Sequence, residues 1–597
     1  MNRTVRRARV VSAFPALVPT SESRAPRGGA SRSGRPTVSR WVRLALLAAA
    51  AGAGAWAPSA AAARQVSQGP LQTRDVQAAV DSIFAAYDGE QTPGCAVGVE
   101  QNGQRALTAA YGMSNLEFGI PNTPISIFEN GSVSKQFTAA AVVLLAMEGK
   151  LSLGDDVREY VPELPDYGHT VTLRHMLNHT SGLRDWGSVA GISGWGRSNR
   201  THTHDHVVDI LSRQSALNFE PGHEYSYSNS GYNLLAVVVS RVSGMPFAQF
   251  SRERIFEPLG MDDTQWRDDW TRIVPRRSTG YSPTRDGWRI NQPIENVHGN
   301  GGLLTTVGDL LTWNRSLDEA SLAGPEFVAM METQGVLNDG RTIAYALGLS
   351  VDDWRGVRSV THGGATSGYR AFLARYPDVG LSVALLCNAS NANPGGLSNA
   401  VARLWLEDAF GPAPELPDAV AVDEAILARY AGFYRDEQTG TEEQVILEDG
   451  GRLRIGGTVL VPASETAFRV GTSSQMAVWE PSPDGARTGF RRMDGEIVVD
   501  MYEPVERVEP TADELREYVG TFHSDDAETT LTFTVDEGAL VIHRRPADAA
   551  RVRPSYRDAF FTPIGFVRFL RDDAGQVVEL SLGQGRVYDM RFQRMEG

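Results

Sequence analysis

Ser132 and Lys135 stand three residues apart in Ser132-Val133-Ser134-Lys135, at the head of the apolar run Gln136 to Glu148. Three positions along a helix is close to one turn, so the two side chains share a face and can touch. Together they would make an acyl-transfer pair. A serine hydroxyl is a weak nucleophile until a neighbouring base takes its proton. A desolvated lysine can lose its own proton and act as that base, whereas an arginine cannot. The composition sharpens this: of 57 basic residues only Lys135 and Lys150 are lysines. Lys150 follows Gly149, a helix C-cap signal, and reads as a solvated surface charge. Taken alone, the spacing fits a helix-capping serine and a solvated lysine equally well, so the rest of the chain must decide.

Two more motifs follow in order, Tyr227-Ser228-Asn229 and His362-Gly363-Gly364. Tyr227 beside a lysine ammonium is expected to have a lowered pKa and to relay a proton to the leaving group. Asn229 both donates and accepts, and so can orient Lys135 or a substrate amide. Ser132 at a helix N-terminus brings a backbone N–H, and the N–H of Ala365 is expected to complete an oxyanion hole. Each piece has a plainer alternative. Tyr227 can be a packed aromatic, Asn229 or Ser230 a helix cap, and Gly363-Gly364 a bulge or a close strand approach. The ordered set favours catalysis.

The elements that must hold these motifs can be read coarsely. Leu71 to Tyr87 reads as an amphipathic helix. Cys95 to Gln101 and Arg105 to Tyr111 read as strands of a hairpin turning at Asn102-Gly103. Leu151 to His179 reads as helix and loop, residues 184 to 204 as a long loop, and Asn233 to Val242 as an apolar helix. Tyr369 to Tyr376 and Leu381 to Cys387 read as strands, and Val401 to Phe410 as a closing helix. The expected fold class is α/β, a layered domain over 71–410 whose sheet joins its N- and C-terminal strands. Gly411 to Pro417 reads as a linker. Beyond it, Leu427-Ala428-Arg429-Tyr430-Ala431-Gly432-Phe433-Tyr434 is echoed by Leu515-Arg516-Glu517-Tyr518-Val519-Gly520-Thr521-Phe522. With short alternating strands, this repeat gives two small antiparallel β domains, 420–506 and 511–597.

Residues 1–63 read as a targeting region: ten arginines and one acid, the short apolar run Leu44 to Trp56, then small residues that suit cleavage near Ala63. The expected location is periplasmic or secreted, with no stable membrane anchor once the leader is removed. The chain beyond residue 63 carries 47 basic and 71 acidic residues, a net of −24. Such a body repels nucleic acid and anionic membranes. Cys95 and Cys387 sit in strand-like runs and are expected to be two buried thiols rather than a disulfide. His202-Thr203-His204-Asp205-His206 is one residue short of a zinc-hydrolase spacing, so no catalytic metal is expected there, and adventitious metal binding or a helix-capping Asp205 is the reading.

The ordered motifs resemble the penicillin-recognising serine hydrolases, which include class C β-lactamases, DD-carboxypeptidases, D-aminopeptidases and related esterases. His179-Thr180-Ser181-Gly182-Leu183, Glu220-Pro221-Gly222, Glu257-Pro258-Leu259-Gly260-Met261 and Gly301-Gly302-Leu303 carry the likeness further. The resemblance implies a β-lactamase-like antiparallel sheet flanked by helices, with two small β-barrel domains behind it. It implies Ser132 as the acylated nucleophile, Lys135 and Tyr227 as the base system, Asn229 as support, and the strand with His362 and Gly364 as the substrate-docking edge. It implies no cofactor, and a small-molecule or short-peptide substrate cleaved at an amide or ester bond, with a D-amino-acid peptidase or aminopeptidase as the best match. An esterase or weak β-lactamase is the alternative within the family. A peptide- or β-lactam-binding adaptor that does not turn over is the alternative outside enzymology. One departure stands out: the third motif is His-Gly-Gly where class C β-lactamases have Lys-Thr-Gly. A histidine is only partly charged at neutral pH, which argues against strong β-lactam turnover.

Overall fold

The computed structural model describes residues 73–596, apart from 413–418, 474, 481, 483–485, 496 and 547–548. The leader with its cleavage site, and most of the linker at 411–417, lie outside the described residues. Residues 70–597 form one compact unit.

The central sheet has six strands: β1 (Cys95–Gln101), β2 (Gln104–Tyr111), β3 (Ser350–Trp354), β4 (Val357–Thr366), β5 (Tyr369–Tyr376) and β6 (Leu381–Cys387). Their order is β3-β4-β5-β6-β1-β2, all antiparallel, so the first strand lies between the second and the last. Asn102 and Gly103 both take positive φ, 51° and 74°, as the tight β1–β2 turn requires. β1 and β6 are buried on both faces, which is why they read as unbroken apolar runs. Val97, Val99, Val383 and Leu385 pack on helices α1 (Thr73–Phe84) and α7 (Pro394–Leu406). Ala96, Ala384 and Leu386 face the other way, into the helical layer.

That layer is built round α2 (Lys135–Met147), buried from Lys135 to Leu145. With it lie α3 (Trp186–Ser193), α4 (His204–Ser212), α5 (Asn229–Ser243) and α6 (Val307–Asp318). The expected loop at 184–204 therefore contains a helix. Trp186, Val189, Ala190 and Ile192 are buried at helical spacing, Asp185 accepts from the Ser188 N–H at its start, and Gly194 ends it at φ 95°. The α5 helix begins at Asn229, four residues earlier than its apolar pattern suggests. Among the described residues no single helix is long and apolar enough to cross a membrane.

The cysteine expectation is overturned. Cys95 and Cys387 are opposite partners in the β1–β6 register, with Cα atoms 4.0 Å apart, and form a disulfide. Nothing local in the sequence says that strands 292 residues apart are neighbours.

The C-terminal part is all-β. Eight strands from Gly432–Asp436 to Ile497–Val505 close into a barrel around Tyr434, Phe468, Trp479 and Phe490. Nine strands follow, from Gly520–Ser524 through β7 (Val577–Gln584) to β8 (Val587–Arg594). The two edges of this sheet, Ala550–Arg551 and Arg553–Pro554, are separated only by Val552, so it is nearly closed. Tyr430 and Tyr518 of the repeat each sit inside their own barrel. The second barrel rests on the helical layer. Arg184, 3% exposed, donates to Asp526 and to the Asp589 carbonyl, both at 2.6 Å. Tyr588 donates to Ser226 at 2.8 Å.

Candidate active site

Ser132 lies in a single 3-10 turn, Gly131–Ser134, that runs straight into α2. Ser134 fastens the turn, donating to Asn130 Oδ1 at 2.7 Å and accepting from the Leu303 N–H. One turn on, Lys135 is fully buried. Its Nζ lies 3.3 Å from Ser132 Oγ, 2.9 Å from Asn229 Oδ1 and 2.7 Å from the Asn300 carbonyl. Burial lowers the Lys135 pKa far below that of an ordinary lysine; Arg586 and Arg197 push the same way, against Asp185. A neutral amine has two N–H groups and one lone pair. The two shorter contacts go to amide oxygens, which can only accept. The lone pair is then left for the remaining neighbour, the Ser132 hydroxyl.

Tyr227 and Asn229 come from the loop that enters α5. The Asn229 N–H is held by Asp185 Oδ2 at 2.9 Å, and the Ser228 N–H by His179 Nδ1 at 3.2 Å. Tyr227 packs against His179 with the rings tilted by 36° and their centroids 4.1 Å apart, and Lys135 Nζ lies over its ring at 4.7 Å. The Tyr227 hydroxyl is enclosed and makes no well-formed hydrogen bond within the fold, though Ser132 is close enough to hold its pKa down slightly. Burial dominates and raises it well above that of an ordinary tyrosine. The expectation of a lowered Tyr227 pKa therefore fails. Lys135 sits over the ring rather than at the oxygen, and a lysine that sheds its proton offers no ammonium to stabilise a phenolate.

His362 lies on β4. Its Nδ1 is 2.6 Å from the Gly363 carbonyl, which can only accept, so Nδ1 carries the proton. Nε2 then accepts from the Tyr345 hydroxyl at 2.9 Å. Burial lowers the His362 pKa to about 4. The imidazole is neutral at pH 7, not partly charged as the motif alone suggests. Further along β4 the backbone presses on the catalytic turn. A Cβ on Gly364 would sit 2.0 Å from the Asn130 carbonyl oxygen and 3.2 Å from the Ser132 nitrogen. One on Gly131, at φ 53°, would sit 2.7 Å from the Ala365 nitrogen. Two glycines thus let the Ser132 and Ala365 backbones lie side by side.

Ser132, Tyr227, Asn229, His362, Gly364 and Ala365 all line one cavity of about 690 Å³, with Lys135 buried beneath it. Three arginines share the lining: Arg197, Arg370 and, from the β7–β8 turn of the second barrel, Arg586. No Asp or Glu does. The histidine-rich run near 202 lies elsewhere. His202 bonds the Trp195 carbonyl and His204 the His298 carbonyl, while Thr203, not Asp205, is the helix cap. Among the described residues no three His, Cys, Asp or Glu side chains are placed to hold a metal.

A family model described as Beta-lactamase matches residues 80–404. The chain belongs to the beta-lactamase family. It is a serine hydrolase of that family. It is 27% identical to the D-aminopeptidase of Brucella anthropi over 88% of this chain and 99% of that one. The D-aminopeptidase of Gluconobacter oxydans is 25% identical over 87% and 98%. Penicillin-binding protein 4* of Bacillus subtilis is 29% identical over 65% and 90%. An octameric penicillin-binding protein homologue from Pyrococcus abyssi shares the fold, with a TM-score of 0.51 at 22% identity, over 80% of this chain and all of that one.

Several residues at the site escaped the sequence reading. Asn300 acts through its carbonyl, which any residue type supplies. Tyr345 and Asp185 orient His362 and Asn229 from distant segments. Arg586 sits in Gly585-Arg586-Val587, a turn like many others in the barrels.

Proposed function

We propose that this chain is an exported hydrolase that cleaves amide or ester bonds of small D-amino-acid or short-peptide substrates through an acyl-enzyme on Ser132. One observation carries the reading: Lys135 Nζ gives its shorter contacts to two pure acceptors and faces Ser132 Oγ with what remains. In this mechanism neutral Lys135 takes the Ser132 proton as Oγ attacks the carbonyl carbon. The developing oxyanion lies between the Ser132 and Ala365 N–H groups. Tyr227, a phenol rather than a phenolate, gives its proton to the leaving group and takes back the one that Lys135 holds, while Asn229 fixes Lys135. Water then releases the acid and restores Ser132. The D-aminopeptidase relatives, aligned over nearly their full length, support D-amino-acid substrates.

The neutral His362 favours this reading over strong β-lactam turnover, since it puts no fixed positive charge on β4. The Cys95–Cys387 disulfide supports export, because such bonds persist in oxidising compartments. The decisive experiment is intact mass spectrometry with an activated p-nitrophenyl ester. Wild type is expected to show a transient acyl adduct on Ser132 and steady turnover. Ser132→Ala is expected to show neither; hydrolysis at the wild-type rate by that variant would refute the proposal. An adduct that never clears would instead mark a binding adaptor. N-terminal sequencing of secreted material, expected to start just after Ala63, checks the export.

A further inference from the structure

Nothing at its oxygen holds Tyr227 in place: the hydroxyl makes no well-formed hydrogen bond within the fold. Its position must come from its ring and from the chain on either side. One residue supplies contacts to all three. The His179 carbonyl accepts from the Ser226 N–H at 2.9 Å, and His179 Nδ1 accepts from the Ser228 N–H at 3.2 Å. The His179 ring lies against the Tyr227 ring, with centroids 4.1 Å apart. His179 is itself pinned. It sits just past the short helix Leu173–Leu177 at φ 60°, a left-handed conformation uncommon for any residue but glycine. On one side Asn178 Nδ2 donates to the Ala346 carbonyl at 3.0 Å. On the other, the Thr180 N–H donates to the His175 carbonyl at 2.8 Å, and the Thr180 carbonyl accepts from the Gly222 N–H at 2.7 Å. Backbone strain of this kind persists where the surroundings over-determine it, and it gathers at functional sites.

The imidazole is not placed for proton transfer. Nδ1 spends its lone pair on Ser228, so the proton of the neutral ring is on Nε2. Nε2 is buried with no hydrogen-bond partner among the described residues, and the rings of Tyr345 and Tyr232 lie 4.6 and 5.1 Å from its own. His179 is absent from the cavity lining. An asparagine would tolerate the same φ and place an acceptor where Nδ1 is; what histidine adds is the ring. We infer that His179 is the positioning residue for Tyr227, aiming its hydroxyl at the leaving group by holding Ser226, Ser228 and the tyrosine ring together. This deepens the acyl-enzyme reading above and rests on Tyr227 giving its proton to the leaving group.

Two esters of one acyl group test this, the p-nitrophenyl and methyl esters of acetyl-D-alanine. p-Nitrophenolate leaves without a proton, whereas methoxide must receive one as it leaves. The ratio of kcat/KM on the two therefore reads proton delivery and cancels any loss of folded enzyme. Tyr227→Phe is expected to raise the p-nitrophenyl-to-methyl ratio roughly a hundredfold, the lower end of what a general acid contributes. His179→Asn keeps the acceptor and loses the ring; His179→Phe keeps a ring and loses the acceptor. Each is expected to raise the ratio several-fold, with the p-nitrophenyl ester still acylating Ser132. In the Tyr227→Phe background, His179→Asn is expected to leave the ratio where it is, because no hydroxyl remains to be misplaced. Equal falls on both esters in both His179 variants, or a further rise of the ratio in the double variant, would overturn the inference and leave His179 a structural residue. If Tyr227→Phe itself leaves the ratio unchanged, the role of Tyr227 fails and the inference with it. If the p-nitrophenyl ester leaves no adduct on wild-type Ser132, the acyl-enzyme reading fails instead.

Discussion

Lys135 is a base because of where it is kept, not because lysine is basic. It is fully buried, with Arg586 and Arg197 nearby and Asp185 the acid that opposes them. Lys135→Arg would preserve the positive charge and lose the ability to take a proton. We expect it to lower kcat on an activated ester by roughly a hundredfold or more, with KM little changed, as loss of a general base does. The sign of the pH dependence is set by the same proton. Protonated Lys135 cannot accept from Ser132, so kcat/KM falls as pH drops through a pKa that lies well below that of an ordinary lysine. A rate that climbs only above pH 10 would show an unshifted lysine. His362 makes a separate prediction about stability. Its pKa is near 4 when folded and about 6.5 when unfolded. Between those values the unfolded chain binds the proton and the folded one does not. Stability is therefore complete above pH 6.5 and falls towards pH 4, by about 3 kcal/mol from this residue. Buried His179 and His298, also lowered, add in the same direction. Urea melts at pH 7, 5.5 and 4.5, compared with those of His362→Gln, separate its share.

At the scale of elements, the site depends on β4 lying close to the turn that carries Ser132. Gly364→Ala drives a Cβ into the Asn130 carbonyl and must push the strand away. Displacing one oxyanion donor costs about 3–4 kcal/mol in the transition state, so kcat is expected to fall several-hundred-fold in a protein that still folds. The disulfide between β1 and β6 closes a loop of 292 residues. Replacing both cysteines by alanine is expected to remove about 2–4 kcal/mol in a urea melt, and dithiothreitol should do the same to wild type. These two features also show what the sequence could carry. Ser132, Lys135, Tyr227 and Asn229 were legible because each motif is local and their order is specific. The sheet was legible because β1 and β6 are apolar on both faces. The disulfide was hidden because pairing is a property of register. The helix at 186–193 was hidden because glycines and polar residues around Trp186 mask its spacing. The pKa directions at Tyr227 and His362 were hidden because burial is decided by how separate segments pack together.

At the scale of the whole molecule, the second barrel reaches the candidate site, where Arg586 lines the cavity beside Ser132. Arg184, nearly enclosed in the helical layer, has Asp526 of that barrel as its ion-pair partner. Asp526→Asn would leave a buried guanidinium without its counter-charge. Breaking such a pair typically costs about 3–5 kcal/mol. We expect the variant to lose stability on that order in a chemical melt and, because Asp185 and Arg586 lie along the same contact, to lose activity with it. A variant as stable as wild type would show the barrel to be a passenger. The sheet order has a consequence for biogenesis. β1 is made early, yet one of its two neighbours, β6, ends at residue 387. During synthesis the β1–β2 hairpin must wait, its β1 edge unpaired, until almost the entire catalytic domain has left the ribosome. Such non-local pairing is slow and leaves an apolar edge open to aggregation. A nascent chain paused before β6 should accordingly be protease-sensitive throughout, and one paused after the second barrel resistant.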